Sequence, residues 1–304
     1  MSAPAASQEH PLKAYLALAL GLLIIGFSAI FVRLANAPGP VVAFYRMTFG
    51  AIFLSIPFAR NLRKHMPLPR RAIWLALLAG AFFGADLAAW TTGVVISDAT
   101  LPTLFANTNP LWVGIGAALL FKEKLTGKFW LGVLIAISGA VIILGVGHTV
   151  TDASNQGAYL GLLAGVFYGS YFLVAQKGRD VLDATSFFWL GTVSSAIFLL
   201  IVNLVLQQPL TGYAGATWMN FLAQGLIIQA GGWFLVGYAQ GYLPASLVSP
   251  TMLGQPVLTA IIAGPMLGEI LDISDILGGV TPTGLNSNRF FPILVDKSAQ
   301  LFCL

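Results

Sequence analysis

Two ionisable side chains lie inside long apolar runs, where charge is costly, and they define what chemistry the chain could do. Asp86 sits in GAFFGADLAAWTTG and Arg46 in FYRMTFGAIF. A carboxyl group so placed can bind a proton, hold a cation or anchor an amine, or it can serve as a structural hydrogen bond to a neighbouring helix. Trp90 follows Asp86 by four residues, so the two share a helical face. Arg46 reads as a structural clamp, with anion binding as the alternative. At 1.5 Å per residue it lies roughly 9 Å below the end of its run and Asp86 about 16 Å below, a gap of about 7 Å that a long arginine could bridge. Asp98 is the rival partner.

Uncharged polar groups recur around two prolines. Asn107 and Asn109 precede Pro110, and Gln255 precedes Pro256. A proline in a helix frees the carbonyl four residues back and bends the axis. The amides then either face a central cavity or satisfy that carbonyl, and for Asn109 and Gln255 the matching placement favours the cavity. Trp90, Tyr168, Tyr171, Trp233 and Tyr238 form an aromatic set able to stack on a flat or cationic solute. Packing is the plainer use, and about half of the set is expected to line a pocket.

Composition says what must hold these groups. Hydrophobic residues make up 57% of the 304 and charged residues 9%, with mean hydropathy +0.84, against about a quarter charged in soluble domains. The chain is therefore read as an all-α integral membrane protein whose first partner is the lipid bilayer. Apolar runs long enough to cross it cover residues 12–34, 40–59, 72–97, 100–121, 129–147, 157–176, 185–206, 218–241 and 244–268. Residues 1–11 are expected to be a disordered lead. Gly80 with Gly84, and the series Gly161, Gly165, Gly169, give small faces for close helix packing.

The chain contains one stretch twice. Ala99 aligns with Ala245, Pro110 with Pro256, Glu123 with Glu269 and Gly132 with Gly278 at one fixed offset, which suggests internal duplication. Residues 12–147 then form one five-helix repeat and 157–280 a second, holding helices six to nine and the start of a tenth. Glu123 and Glu269 fall just past helix ends on opposite sides, which fits capping or pairing better than a shared substrate. After Val280 the match stops, and residues 281–304 hold no run able to span. The tail is either divergent or the product of an altered reading frame; the second is preferred, with a poorly ordered C-terminus.

Arg60, Arg63, Lys64, Arg70, Arg71, Lys122, Lys124, Lys128, Lys177 and Arg179 gather on the side of Lys13, against Arg33 alone in the opposite loops. That bias places the N-terminus in the cytoplasm. Five spans per repeat is an odd number, so the second copy would insert inverted, an arrangement that puts a solute site near the midplane.

The run FYRMTFGAIFLSIPFA, the pattern from Trp90 to Thr100, NPLWV at Asn109 to Val113 and KEKLT from Lys122 resemble the EamA-type carriers of the drug/metabolite transporter superfamily. The resemblance covers about residues 14–280. It implies ten helices in two inverted five-helix repeats, and export of small metabolites, amino acids or toxic compounds across a bacterial inner membrane.

Enzyme signals are absent: there is no HExxH, no P-loop and no GxSxG, and His10, His65 and His148 lie far apart. No cofactor, metal or nucleic acid is expected. A channel and an inactive scaffold remain the rival classes. The expected function is alternating-access transport of a small organic molecule, with Asp86 as the coupling group for protons.

Overall fold

The computed structural model describes residues 11–62, 68–122, 125–127, 129–132, 134–135, 152–179 and 182–267. Among them every regular element is helical. In chain order these are α1 (Pro11–Gly26), α2 (Ser28–Leu34), α3 (Gly39–Leu62), α4 (Arg70–Ile96), α5 (Thr100–Ala106), α6 (Asn109–Leu120), α7 (Asp152–Arg179), α8 (Ala184–Val205) and α9 (Gly215–Ala223). A π-helical segment, Gln224–Trp233, follows, then α10 (Phe234–Gln240), α11 (Ala245–Thr251) and α12 (Gly254–Leu267). Seven stretches among the described residues are long and apolar enough to cross a membrane, from Leu12–Leu34 to Ala245–Leu267. The chain is a multi-pass membrane protein. The expected fifth span, Glu123, Glu269, the N-terminal lead and the tail after Val280 lie wholly or mostly outside the described residues.

The hydrophobic effect cannot drive these helices together inside lipid, so close approach of backbones must do so. The glycine faces supply it. A Cβ on Gly80 would lie 2.3 Å from the Gly191 carbonyl oxygen of α8, and one on Gly161 would lie 2.6 Å from the Pro102 oxygen of α5. Helix α4 is thereby sandwiched between α7 and α8, while α5 and α6 lie along α7. Large apolar side chains such as Leu23, Ile52, Trp74, Leu119 and Ile261 point outward, as a lipid-facing surface requires.

Polar groups fix the ends. Arg33 Nη1 donates to the carbonyls of Val94 and Val95, each at 3.3 Å, and so ties α2 to the last turn of α4, where a cation meets the negative end of the helix dipole. Asp183 begins α8 by accepting from the Ser186 N–H at 2.9 Å, and it also accepts from Asn61 Nδ2 of α3 at 2.5 Å.

Where the sequence suggests smooth or merely bent spans, four are interrupted. The first breaks at Phe27, between α1 and α2; the fourth at Asn107–Thr108; the ninth at Met252–Leu253. In the eighth the α-helical pattern is interrupted by the π segment. The breaks in the fourth and ninth fall within one residue of equivalent places of the duplicated stretch, each two or three residues ahead of its proline. Pro110 opens α6 and Pro256 lies in the first turn of α12, where a missing N–H leaves no internal hydrogen bond unmade.

Candidate functional site

All four interruptions meet at one cavity. It leaves about 20 Å³ of free space, room for about one water, between lining atoms that come from Ser28, Arg46, Asp86, Leu87, Trp90, Ala106, Asn107, Tyr168, Trp233 and Gln255. Ser28 is the first residue after the break at Phe27, Asn107 lies in the break of the fourth span, Trp233 ends the π segment, and Gln255 follows the break of the ninth span. A break exposes backbone and redirects the next side chain off the regular helical path. That is how an apolar bundle comes to hold a polar interior.

The two ionisable residues are deep within it. Arg46 is 1% and Asp86 5% exposed. The hydrogen bonds of Arg46 nonetheless go to neutral groups: Nη1 donates to Ser28 Oγ at 3.1 Å and Nη2 to Gln229 Oε1 at 3.3 Å. The sequence offered Asp86 or Asp98 as its hydrogen-bonded partner. Asp98 instead accepts from the Thr100 and Leu101 N–H groups, at 2.8 and 2.6 Å, at the start of α5.

Several lining atoms have polar capacity to spare. The Tyr168 hydroxyl, Asn107 Oδ1 and Arg46 Nε are buried without a hydrogen-bond partner, although Asn107 Nδ2 donates to Thr103 O at 2.8 Å. Such groups cost stability when left unpaired, and the three that border this cavity could be satisfied by a polar ligand seated there. Trp90 is held rigid by its Nε1–H, which donates to Thr103 Oγ1 at 3.0 Å. Tyr168 and Trp233 meet edge to face, with ring centroids 5.6 Å apart.

Of the residues singled out in the sequence, Asp86, Trp90, Asn107, Tyr168, Trp233 and Gln255 thus line this one cavity, whereas Asn109, Tyr171 and Tyr238 do not. Asn109 Nδ2 donates to Ala106 O at 3.4 Å, a carbonyl at the end of α5 left free by the break, and its Oδ1 accepts from the Ser249 hydroxyl of α11. The matching placement with Gln255 was misleading, because Asn109 is spent on joining the two broken helices. Tyr171 lies behind the cavity wall, stacked on Phe83 at 4.8 Å, beside a second space lined by Gly80, Phe83, Phe187, Phe188, Gly191 and Thr192. Tyr238 packs on Tyr242 near the end of its span, at 5.0 Å. Ser28 and Gln229 are the groups that sequence reasoning missed. The only available signal was a polar residue within an apolar run.

Among the described residues no group of three or more His, Cys, Asp or Glu side chains could hold a metal ion.

The profile of the EamA-like transporter family matches this chain twice, over residues 12–145 and 155–281. The chain is 25% identical over 294 residues to the uncharacterized transporter YdfC of Bacillus subtilis (strain 168), covering 94% of this chain and 92% of that protein. It is 25% identical over 220 residues to a riboflavin transporter of Rhizobium johnstonii, covering 70% and 68%. A solved crystal structure shares its fold with a TM-score of 0.67 at 17% identity, covering 87% of this chain and 91% of that one.

Proposed function

Because this chain belongs to the EamA-like transporter family, we propose that it is a secondary carrier that moves small organic solutes by alternating access, with the cavity around Asp86 as its seat. The observation that carries this reading is the convergence of four helix interruptions on one space lined by ionisable, amide and aromatic side chains. Discontinuous helices around a midplane site are a recurrent carrier architecture. A static lipid-embedded scaffold has no need to leave buried polar atoms unsatisfied.

In this reading Asp86 binds the cationic end of the solute or a coupling proton, Asn107 and Gln255 supply neutral hydrogen bonds, and Trp90, Tyr168 and Trp233 grip its apolar part. Amino acids and related metabolites are the substrate class. The relative named for riboflavin adds a flat ring system as a second class to try. The spans are arranged as two inverted five-helix repeats, supported by the equivalent breaks before Pro110 and Pro256. The chain sits in a bacterial inner membrane with its N-terminus in the cytoplasm, supported by the lysine and arginine bias, and works as an exporter, the direction that the family resemblance implies.

The deciding experiment is counterflow in proteoliposomes, with native protein and Asp86→Asn tested against amino acids, nucleosides, polyamines, organic cations and flavins. Exchange of one class, lost in the variant, supports the reading. Flux that never saturates would replace it with a channel, and no flux from folded protein would leave an inactive scaffold. Flux measured in both vesicle orientations under an imposed gradient tests export.

A further inference from the structure

Gln229 is fully buried in the π segment, and both ends of its amide are used. Its Oε1 accepts from Arg46 Nη2 at 3.3 Å, and its Nε2 donates to Thr192 Oγ1 at 3.4 Å. The Thr192 hydroxyl has given its own proton to the Phe188 carbonyl, at 2.8 Å, so it can only accept. The amide is therefore oriented from both sides: oxygen toward the cation, nitrogen toward the hydroxyl. On the far side of the guanidinium Ser28 Oγ takes Nη1. One chain of hydrogen bonds thus runs Ser28, Arg46, Gln229, Thr192 across the first, second, eighth and seventh spans. Space for it is made by Gly50 of α3, where a Cβ would lie 2.5 Å from Gln229 Cγ.

Among the described residues every hydrogen-bond partner of Arg46 is neutral. A carboxylate at position 229 would accept from Arg46 equally well and would neutralise it, but it could not donate to Thr192. The amide holds the guanidinium in place and leaves its charge uncompensated by direct pairing. Arg46 lines the cavity, and its Nε is buried with no partner. We propose that Gln229 and Ser28 are positioning residues that keep Arg46 charged and unpaired, so that the cavity selects solutes bearing an anionic group such as a carboxylate. This rests on the carrier reading above and adds the sign of one substrate group. It also changes the role of Arg46 from clamp to receptor, with the clamping done by its neutral partners.

The probes are benzoate and benzamide, which share the flat ring that Trp90, Tyr168 and Trp233 could grip and differ in charge. The readout is their effect on the melting temperature of detergent-purified protein, titrated against sodium chloride at equal ionic strength. Benzoate is expected to stabilise the native protein saturably and benzamide to do so at least about tenfold more weakly, the difference between a charge-assisted and a neutral hydrogen bond. Gln229→Glu should abolish the preference. Ser28→Ala, which removes a single hydroxyl, should keep the fold and weaken benzoate severalfold, and Gln229→Met should do the same if it folds. Equal responses to benzoate and benzamide in native protein would overturn the proposal, and so would an unchanged benzoate preference in a folded Gln229→Glu or, should that variant not fold, in Ser28→Ala. Neither result touches the carrier reading, which stands or falls on counterflow.

Discussion

The residues around the cavity separate stability from function in a measurable way. The Tyr168 hydroxyl is buried without a partner, so removing it relieves a group that costs about 1–3 kcal/mol when unsatisfied. Tyr168→Phe is therefore expected to hold or raise the melting temperature while raising the KM of the transported solute severalfold. A fall in both would mean that the hydroxyl serves the fold. Where Asp86 holds a coupling proton rather than the solute itself, Asp86→Asn keeps the shape and loses the ionisable group, so exchange should survive the substitution and the dependence of its rate on pH should flatten. A pH profile identical to the native one would remove Asp86 from coupling.

At the scale of elements, glycine placement decides which helices touch. Gly80→Ala drives a methyl group into the Gly191 backbone, where no flexible side chain can yield, and should destabilise by about 1–3 kcal/mol. Gly215→Ala, at the start of α9 with open space around it, should change stability by less than about 0.5 kcal/mol. Thermal melting of the two variants side by side checks the pair. The broken helices are open to test as well. Asn109→Leu removes both the bond to the freed Ala106 carbonyl and the contact with Ser249; it should lower stability for every solute alike, unlike a change at Asn107, which should act on affinity.

How much of this the sequence disclosed follows from what each feature depends on. Apolar runs mark spans because lipid leaves no other choice, so residues 12–34 and the stretch Leu12–Leu34 coincide. Asp86, Trp90 and Asn107 were legible because polar and aromatic groups in such runs carry a cost that needs a reason. The break at Phe27 and the π segment were not: they coincide with packing against α12 and α3, where the Thr259 hydroxyl donates to Gly26 O at 3.0 Å and Gly225 closes on Phe49. Local sequence does not encode those contacts. Asn109 failed for a related reason, since only the fold brings Ser249 to it.

For the molecule as a whole, sidedness is the first property to establish. With Cys303 replaced by serine, a cysteine at Ala37 should react with an impermeant maleimide from outside intact cells, and one at Lys122 only after permeabilisation. The reverse pattern would invert the proposed topology. The cavity has a further consequence at this scale, which concerns membrane voltage. Arg46 and Asp86 share one cavity, so with both ionised the site is neutral, and an empty carrier turning over would move no charge. Each net charge that does cross feels about 2.3 kcal/mol per 100 mV. Currents recorded on a supported membrane would then count the solute's own charge plus any proton held at Asp86. A zwitterion carried without protons should produce no current, and the same zwitterion carried with one proton should produce a current of one charge per molecule.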